Sequence, residues 1–353
     1  MNASRPERAR RDDTTVDRLT TVAGLGPHGE FPAPADQLQL TARHVAIARE
    51  ARYTVAVVVH SLGSDWSRLQ LRGILSTLET YGAEVIEVVD CDFVPQRQIE
   101  TLETLVARRP DAIISIPVDN VLTADAHRLV AEAGIKLVLM DNVPLGLVPR
   151  KDYVSLVSAD NFGNGQVAAE ILSPYVPGGG TAGIIGFGVD YFVTNEREIA
   201  FRKWMRERRP DVTLRHAEFK DVAAAGRVAL EFLSAHPEAA ALFVAWDEPA
   251  MAVASALEAG GRSVPITTVD LGNEVAVSLA RGGPVKGLGA QQPYDQGVAE
   301  AIATILALVG DEPPPWVALP ALSVTRRNVI AAYEAVWHAS PPLDLIAAAK
   351  TGT

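Results

Sequence analysis

Short strand-like runs alternate with amphipathic segments along most of this chain, and that alternation constrains the fold more than any other feature. The runs occupy residues 55–59, 85–89, 112–116 and 136–140, and a second series follows at 183–187, 213–218, 241–245, 266–269 and 285–289. Apolar strands separated by helices are typical of a parallel sheet covered by helices on both faces. Two such series predict an α/β protein of two similar lobes.

The composition agrees with a large folded chain and excludes several classes of protein. The 353 residues are 48% hydrophobic and 21% charged, which is enough to bury two domain cores. A formal net charge of -11 argues against nucleic-acid binding, because replacing phosphate counterions needs clustered Lys and Arg. One cysteine, Cys91, excludes an intrachain disulfide and a cysteine-based zinc site.

The two ends of the chain differ from its middle. Residues 1–40 mix Arg, Asp, Gly and Pro without a period, so we expect residues 1–52 to be a flexible leader that ends in a short helix. We also expect residues 339–353 to be a frayed tail. No uninterrupted apolar run reaches the roughly 18 residues of a transmembrane helix, and the apolar core of a secretory signal is not visible at the start shown.

Polar and aromatic residues follow nearly every predicted strand. Ligands of open α/β sheets bind outside the carboxyl ends of the strands, so topology predicts that these side chains converge. The candidates are His60, Ser64, Asp65, Trp66, Ser67, Asp141, Asn142, Trp246, Asp247, Asp270 and Gln291.

Each candidate also has a purely structural interpretation. His60 fits a core histidine, Trp246 fits a core aromatic, and Asp141, Asp247 and Asp270 fit helix caps. Taken together they favour a ligand site. Several carboxylates without a neighbouring Lys or Arg suggest a neutral ligand that carries many hydroxyl groups, because each carboxylate accepts strong hydrogen bonds.

The aromatic residues extend this hypothesis. Trp66 offers a flat apolar face with a donor nitrogen, which suits the C–H face of a sugar or polyol. Trp246, from the other lobe, is expected to sandwich the ligand against it.

Motifs of common enzymes are missing from the sequence. The pattern G-x-G-x-x-G occurs at residues 24–29 and 178–183, but neither match follows a strand and opens a helix, so both are interpreted as turns. The P-loop, the H-E-x-x-H zinc motif and the G-x-S-x-G nucleophile motif do not occur. We therefore predict no catalytic role, no cofactor and no metal.

Five segments resemble the type I periplasmic solute-binding proteins of ABC transporters, in the branch of the ribose-binding proteins. They lie at residues 57–66 (VVVHSLGSDW), 111–119 (DAIISIPVD), 158–165 (SADNFGNG), 244–250 (VAWDEPA) and 289–297 (GAQQPYDQG), and the resemblance spans about residues 53–338. It implies a sugar-binding cleft between two lobes joined by three crossovers, near 159–161, 291–293 and 313–315. It implies a first lobe of residues 53–159 plus 292–314 and a second of residues 160–291 plus 315–338.

The resemblance also implies roles for single residues. It adds Asn195 and Phe219 to the candidate contacts, and it places Asn142 and Asn195 where the ribose-binding branch has Arg. A different neutral sugar or a linear polyol is therefore expected. The implied partner is the membrane permease of an ABC importer, the implied location is the periplasm, and the implied state is a monomer that binds no nucleic acid.

A second class stays open at this stage. The same two-lobed module senses sugars in cytosolic regulators that resemble the lac repressor, where it moves a DNA-binding headpiece. Residues 1–50 would then form a helix-turn-helix, which the Gly and Pro content of residues 24–34 disfavours.

Overall fold

The computed structural model describes residues 17–18 and 21–351 and contains two α/β lobes. The first lobe is a six-stranded, fully parallel sheet in the order β12-β6-β5-β4-β2-β3. Its elements are α1 Ala42–Ala51, β2 Thr54–Val59, α2 Asp65–Tyr81, β3 Glu84–Asp90, α3 Pro95–Arg108, β4 Ala112–Ser115, α4 Ala124–Glu132, β5 Lys136–Met140, β6 Ser155–Ala159, α10 Pro293–Leu308 and β12 Trp316–Leu319.

The second lobe holds a seven-stranded sheet in the order β1-β13-β11-β10-β9-β7-β8, in which β13 runs antiparallel to both of its neighbours, β1 and β11, and the other pairs are parallel. Its elements are β1 Asp17–Arg18, α5 Asn161–Leu172, β7 Thr181–Phe187, α6 Phe192–Arg208, β8 Thr213–Phe219, α7 Ala225–Ala235, β9 Ala239–Val244, α8 Asp247–Ala259, β10 Ile266–Val269, α9 Asn273–Arg281, β11 Val285–Ala290, β13 Leu322–Thr325, α11 Val329–Trp337 and α12 Leu343–Thr351. The predicted two-lobed α/β fold is confirmed.

Within residues 53–338 three crossovers join the lobes, and the structure corrects the third. The first passes from β6 through Asp160 to α5, and the second passes from β11 through residues 291–292 to α10. The third lies between β12 and β13, at residues 320–321, and not at residues 313–315. The reason is that β12 pairs with β6, and the buried Trp316 indole donates a hydrogen bond to Ser158 Oγ at 2.8 Å.

Both chain ends contain more structure than the sequence suggested, as far as they are described. Leu38 is buried between the first sheet and α10, and α1 follows it. At the other end α12 buries Leu345 and Ala348, so residues 343–351 are a packed helix and not a frayed tail. The predicted leader also includes residues 1–16 and 19–20, and the tail includes 352–353, which lie outside the described residues.

Helices α2 and α10 of the first lobe pack closely against each other. A Cβ atom at Gly297 would lie 2.1 Å from the Gln70 carbonyl oxygen, and one at Gly73 would lie 2.2 Å from the Tyr294 carbonyl oxygen. The two helices therefore approach to backbone contact at both glycines. This brings polar side chains of α10 to the carboxyl end of β5.

We predict that Gly297→Ala destabilises the protein. The added methyl group forces α2 and α10 apart, which costs about 1–3 kcal/mol in the free energy of unfolding. Urea denaturation measures this change. Gly178→Ala is the matched control, because a Cβ there has its nearest neighbour at 4.0 Å, and a change within about 0.5 kcal/mol is expected. Equal stability of both variants would contradict the packing described.

Candidate functional site

Two buried aspartates, one from each lobe, lie at the carboxyl ends of the sheets. Asp141 follows β5 and Asp270 follows β10. Both have positive φ, 54° and 76°, a conformation that Asp tolerates better than most residues. Each backbone N–H donates to the neighbouring strand, Asp141 to Val157 O at 2.9 Å and Asp270 to Gly289 O at 3.0 Å.

Three polar side chains hold this acid pair. Gln291 Nε2 donates to Asp270 Oδ1 at 2.6 Å, and Gln296 Nε2 donates to Asp141 Oδ1 at 3.2 Å. Arg197 Nη1 lies 3.6 Å from Asp270 Oδ2. All five residues are buried. Their charges and hydrogen bonds therefore interact in a low-dielectric environment, where electrostatic interactions are stronger than in water.

Arg197 also ties the acid pair to the hinge. Its Nε donates to Asn161 Oδ1 at 2.8 Å, at the first crossover, and its Nη1 donates to the Ala245 carbonyl oxygen at 3.2 Å. Gln291 belongs to the second crossover. Asp270 is therefore bonded to Gln291 of the second crossover and is linked through Arg197 to Asn161 of the first.

Burial dominates the electrostatics of the acids. It raises the pKa of Asp141 to about 7, and repulsion from Asp270 adds to the rise while Arg197 opposes it. Burial also raises the pKa of Asp270 and of Asp247, and it raises the pKa of Glu300 well above its usual range. One arginine among these carboxyls leaves the cleft short of positive charge.

The loop after β2 forms the first-lobe wall. Ser64 caps α2, because its Oγ accepts from the Ser67 N–H at 3.1 Å and lies 2.9 Å from Ser67 Oγ. The His60 ring packs at 5.9 Å from the Trp66 ring in an edge-on arrangement and at 4.7 Å from Phe93. Burial lowers the pKa of His60 to about 4, so this imidazole is neutral at pH 7.

Aromatic side chains form the opposite wall in the second lobe. The Trp246 ring lies edge-on to Phe187 at 5.1 Å and 5.3 Å from Phe219. Phe219 is fully buried beneath this group. The carboxylate of Asp247 accepts the backbone N–H groups of Glu248 at 2.9 Å and of Gly272, which precedes α9, at 2.8 Å. Asp247 is the first residue of α8 and Trp246 is its N-cap residue, so Asp247 does not cap this helix.

Direct contacts between the lobes show that the cleft is closed. Asp65 Oδ2 accepts from the Asn273 backbone N–H at 2.8 Å and from Asn273 Nδ2 at 3.1 Å, while Asp65 Oδ1 lies 2.6 Å from Arg68 Nη2. On the other rim the Tyr191 hydroxyl donates to the Val118 carbonyl oxygen. The observed partners of Asp65, a predicted ligand contact, are thus protein groups: Asn273 of the other lobe and Arg68 of its own helix.

The structure brings most of the predicted residues to one cleft but not Asn195. That side chain is exposed and donates to Asp190 Oδ1 at 2.6 Å on the rim. The expectation that the carboxylates have no neighbouring Arg is wrong. Arg197, two residues after Asn195 in α6, lies beside Asp270. Helical spacing in the sequence could have identified Arg197. It shares the buried face of α6 with Ala200 and Phe201, and a cation on a buried face needs a buried partner.

Several buried polar atoms of the predicted site residues and of Gln296 have no hydrogen-bond partner within the described part of the chain. They are Trp66 Nε1, Asn142 Oδ1, Gln291 Oε1 and Gln296 Oε1. Buried polar atoms of folded proteins nearly always have a partner, so these atoms mark the side chains that a bound molecule or ordered water satisfies.

Residues 17–18 and 21–351 contain no cluster of three or more His, Cys, Asp or Glu side chains able to hold a metal ion. Over the same residues, none of the helices combines the length and the hydropathy required to span a bilayer.

These features define a two-lobed binding protein with an enclosed polar cleft. The chain belongs to the periplasmic binding protein domain family, whose model matches residues 55–312.

Individual relatives agree with this family. The ribose import binding protein of Bacillus subtilis (strain 168) is 24% identical over 241 residues, which are 68% of this chain and 77% of the relative. An ABC transporter solute-binding protein from Agrobacterium vitis, bound with alpha-D-tagatopyranose, has a TM-score of 0.74 at 21% identity and is matched over 99% of its length and 82% of this chain. Another from the same organism, with bound allitol, has a TM-score of 0.68 at 21% identity, with 98% and 80% matched.

The raised pKa of Asp141 predicts a characteristic pH dependence of stability. The pKa is about 7 in the folded protein and 3.8 ordinarily, so the folded state binds the proton more tightly. That contribution to stability is complete below pH 4 and is lost as the pH rises to 7. At 1.36 kcal/mol per pKa unit it amounts to about 4 kcal/mol.

The variant Asp141→Asn removes this titration while it keeps the shape of the side chain. Between pH 4 and pH 8 its free energy of unfolding, from urea denaturation, is expected to fall less than that of the wild type, by up to about 4 kcal/mol. Asp36→Asn, at an exposed position, controls for the loss of a charge. Parallel pH profiles for wild type and Asp141→Asn would show that Asp141 titrates normally.

Proposed function

We propose that this protein is the substrate-binding component of an ABC-type importer and that it binds a neutral monosaccharide or polyol between its lobes. The observation that carries the proposal is that Asp141 and Asp270, one from each lobe, are both buried at the carboxyl ends of the sheets while the lobes are in direct contact. A ligand that bridges both carboxylates makes more contacts in the closed form than in the open form. Binding therefore shifts the equilibrium towards closure.

The chemistry of the cleft supports a polyhydroxyl ligand. Hydroxyl groups donate to carboxylates in strong hydrogen bonds, and the unpartnered oxygens of Asn142, Gln291 and Gln296 accept further hydroxyl protons. The charge of Arg197 is already balanced by Asp270, and the remaining acids disfavour an anionic ligand. The rings of Trp66 and Trp246 supply apolar faces for the C–H surface of a sugar.

The relatives support the same assignment. One is a ribose import binding protein, and two structural neighbours hold tagatose and allitol. By this assignment the chain acts outside the cytoplasm, presents its closed form to a membrane permease, works as a monomer and performs no covalent chemistry.

The cytosolic sugar sensor receives less support from the structure. Residues 21–52 contain one α-helix, α1, whereas a helix-turn-helix needs two helices in sequence. Residues of this segment pack on the first lobe and do not form a separate headpiece.

A thermal-shift screen of pentoses, hexoses and polyols tests the proposal. A ligand at about 100 times its dissociation constant adds about 2.7 kcal/mol of stability, so one or more of these compounds is expected to raise Tm. For that compound Asp141→Asn and Asp270→Asn are each expected to weaken binding by about 10- to 100-fold, because each removes a charge-assisted hydrogen bond. Isothermal titration calorimetry measures the loss.

Glu103→Gln is the control, because Glu103 is exposed on α3 and far from the cleft in the fold. It is expected to bind like the wild type. Failure of the entire sugar and polyol panel to raise Tm would refute the proposed ligand class. Unchanged affinity in both aspartate variants would refute the site.

A further inference from the structure

The segment that precedes the family domain extends both sheets of the protein. Its strand β1 pairs antiparallel with β13 of the second lobe, Asp17 opposite Ser323 and Arg18 opposite Leu322. The family model begins at residue 55, so this segment is an addition to the family domain. We call β1 together with residues 21–34 the strap.

The other end of the strap pairs with the first lobe. The Ala33 N–H donates to the Trp316 carbonyl oxygen at 3.1 Å, and the Ala318 N–H donates to the Ala33 carbonyl oxygen at 3.0 Å. Ala33 thereby forms a parallel bridge with β12, the edge strand of the first sheet. One short segment is thus fixed to the edge of each lobe.

Between these anchors the strap is bonded to the hinge itself. The Ala23 N–H donates to Asp160 Oδ2 at 2.7 Å, and the Gly24 N–H donates to Asp160 Oδ1 at 3.2 Å. Asp160 is the residue of the first crossover and is 1% exposed. Its own N–H donates to the Leu319 carbonyl oxygen at 2.7 Å, next to the third crossover. The strap therefore contacts a point where two of the three crossovers meet.

We propose that the strap restrains the hinge and favours the closed arrangement of the lobes. Opening rotates one sheet edge relative to the other, and a segment paired to both edges resists that rotation or loses part of its pairing. The two hydrogen bonds to Asp160 are made at the pivot, in a buried setting where hydrogen bonds to a carboxylate are strong. The restraint concerns lobe motion and holds whichever ligand the cleft binds, although its consequence for uptake rests on the proposed function.

The test measures lobe opening in the absence of ligand, by the radius of gyration from small-angle X-ray scattering. The variants are a chain that lacks residues 1–34 and the full chain with Asp160→Ser. Serine still caps α5, where Asp160 now accepts the Gly163 N–H at 2.8 Å, but its shorter side chain does not reach the strap. We expect the radius of gyration to rise in both variants and the open-to-closed ratio to rise by about tenfold.

A double-mutant cycle separates the strap from a local effect at Asp160. If Asp160 acts through the strap, Asp160→Ser has no further effect in the chain that lacks residues 1–34. An equal effect of Asp160→Ser with and without the strap would overturn the proposal, and so would an unchanged radius of gyration in both single variants.

A second variant keeps the test decisive if the shortened chain does not fold. Ala23→Pro in the full chain removes the N–H that donates to Asp160 and is expected to open the lobes as Asp160→Ser does. Phe31→Ala is the control inside the strap, because this side chain is 86% exposed, and it is expected to leave the radius of gyration unchanged. Opening in neither Ala23→Pro nor Asp160→Ser would contradict the restraint. These measurements need no ligand, so they fail or succeed independently of the sugar screen.

Discussion

The burial of two aspartates, one from each lobe, at the carboxyl ends of the sheets is the constraint on which the rest of this structure depends. Two ionised carboxylates do not share a dry site without compensation, and Arg197 supplies only one positive charge. The amide groups of Gln291 and Gln296 donate hydrogen bonds to the two carboxylates, and the pKa of Asp141 is raised, which favours its neutral form. Such a site is costly when closed and empty, and hydroxyl groups placed between the acids reduce that cost.

The same acids connect the site to the hinge. Gln291 lies in the second crossover, and Arg197 is bonded to Asn161 in the first, so rotation of the lobes changes the surroundings of Asp270 directly. The close approach of α2 and α10 holds α10 in the position from which Gln296 donates to Asp141. The site and the hinge are therefore connected by a small number of short side-chain contacts.

The sequence predicts the fold well because strand and helix periods are local signals. It also predicts that Asp141, Asp270 and Gln291 follow strands of the two sheets, as they do in the structure. It fails for Arg197, which lies inside a helix. It also fails for the third crossover, because the three prolines at residues 313–315 suggest a chain reversal there, whereas the buried Trp316 keeps the next strand in the first lobe. The packing of residues 21–38 and of α12 was missed because neither segment is amphipathic enough to reveal its buried face. Such contacts depend on tertiary structure that local patterns do not encode.

A crystal structure with the sugar or polyol that most raises Tm tests the central claim most directly. The account predicts one ligand between the lobes, with its hydroxyl oxygens within about 3 Å of both the Asp141 and the Asp270 carboxylates. It also predicts that the ligand is flanked by Trp66 and Trp246. A ligand bound elsewhere, or one that touches neither aspartate, would contradict it.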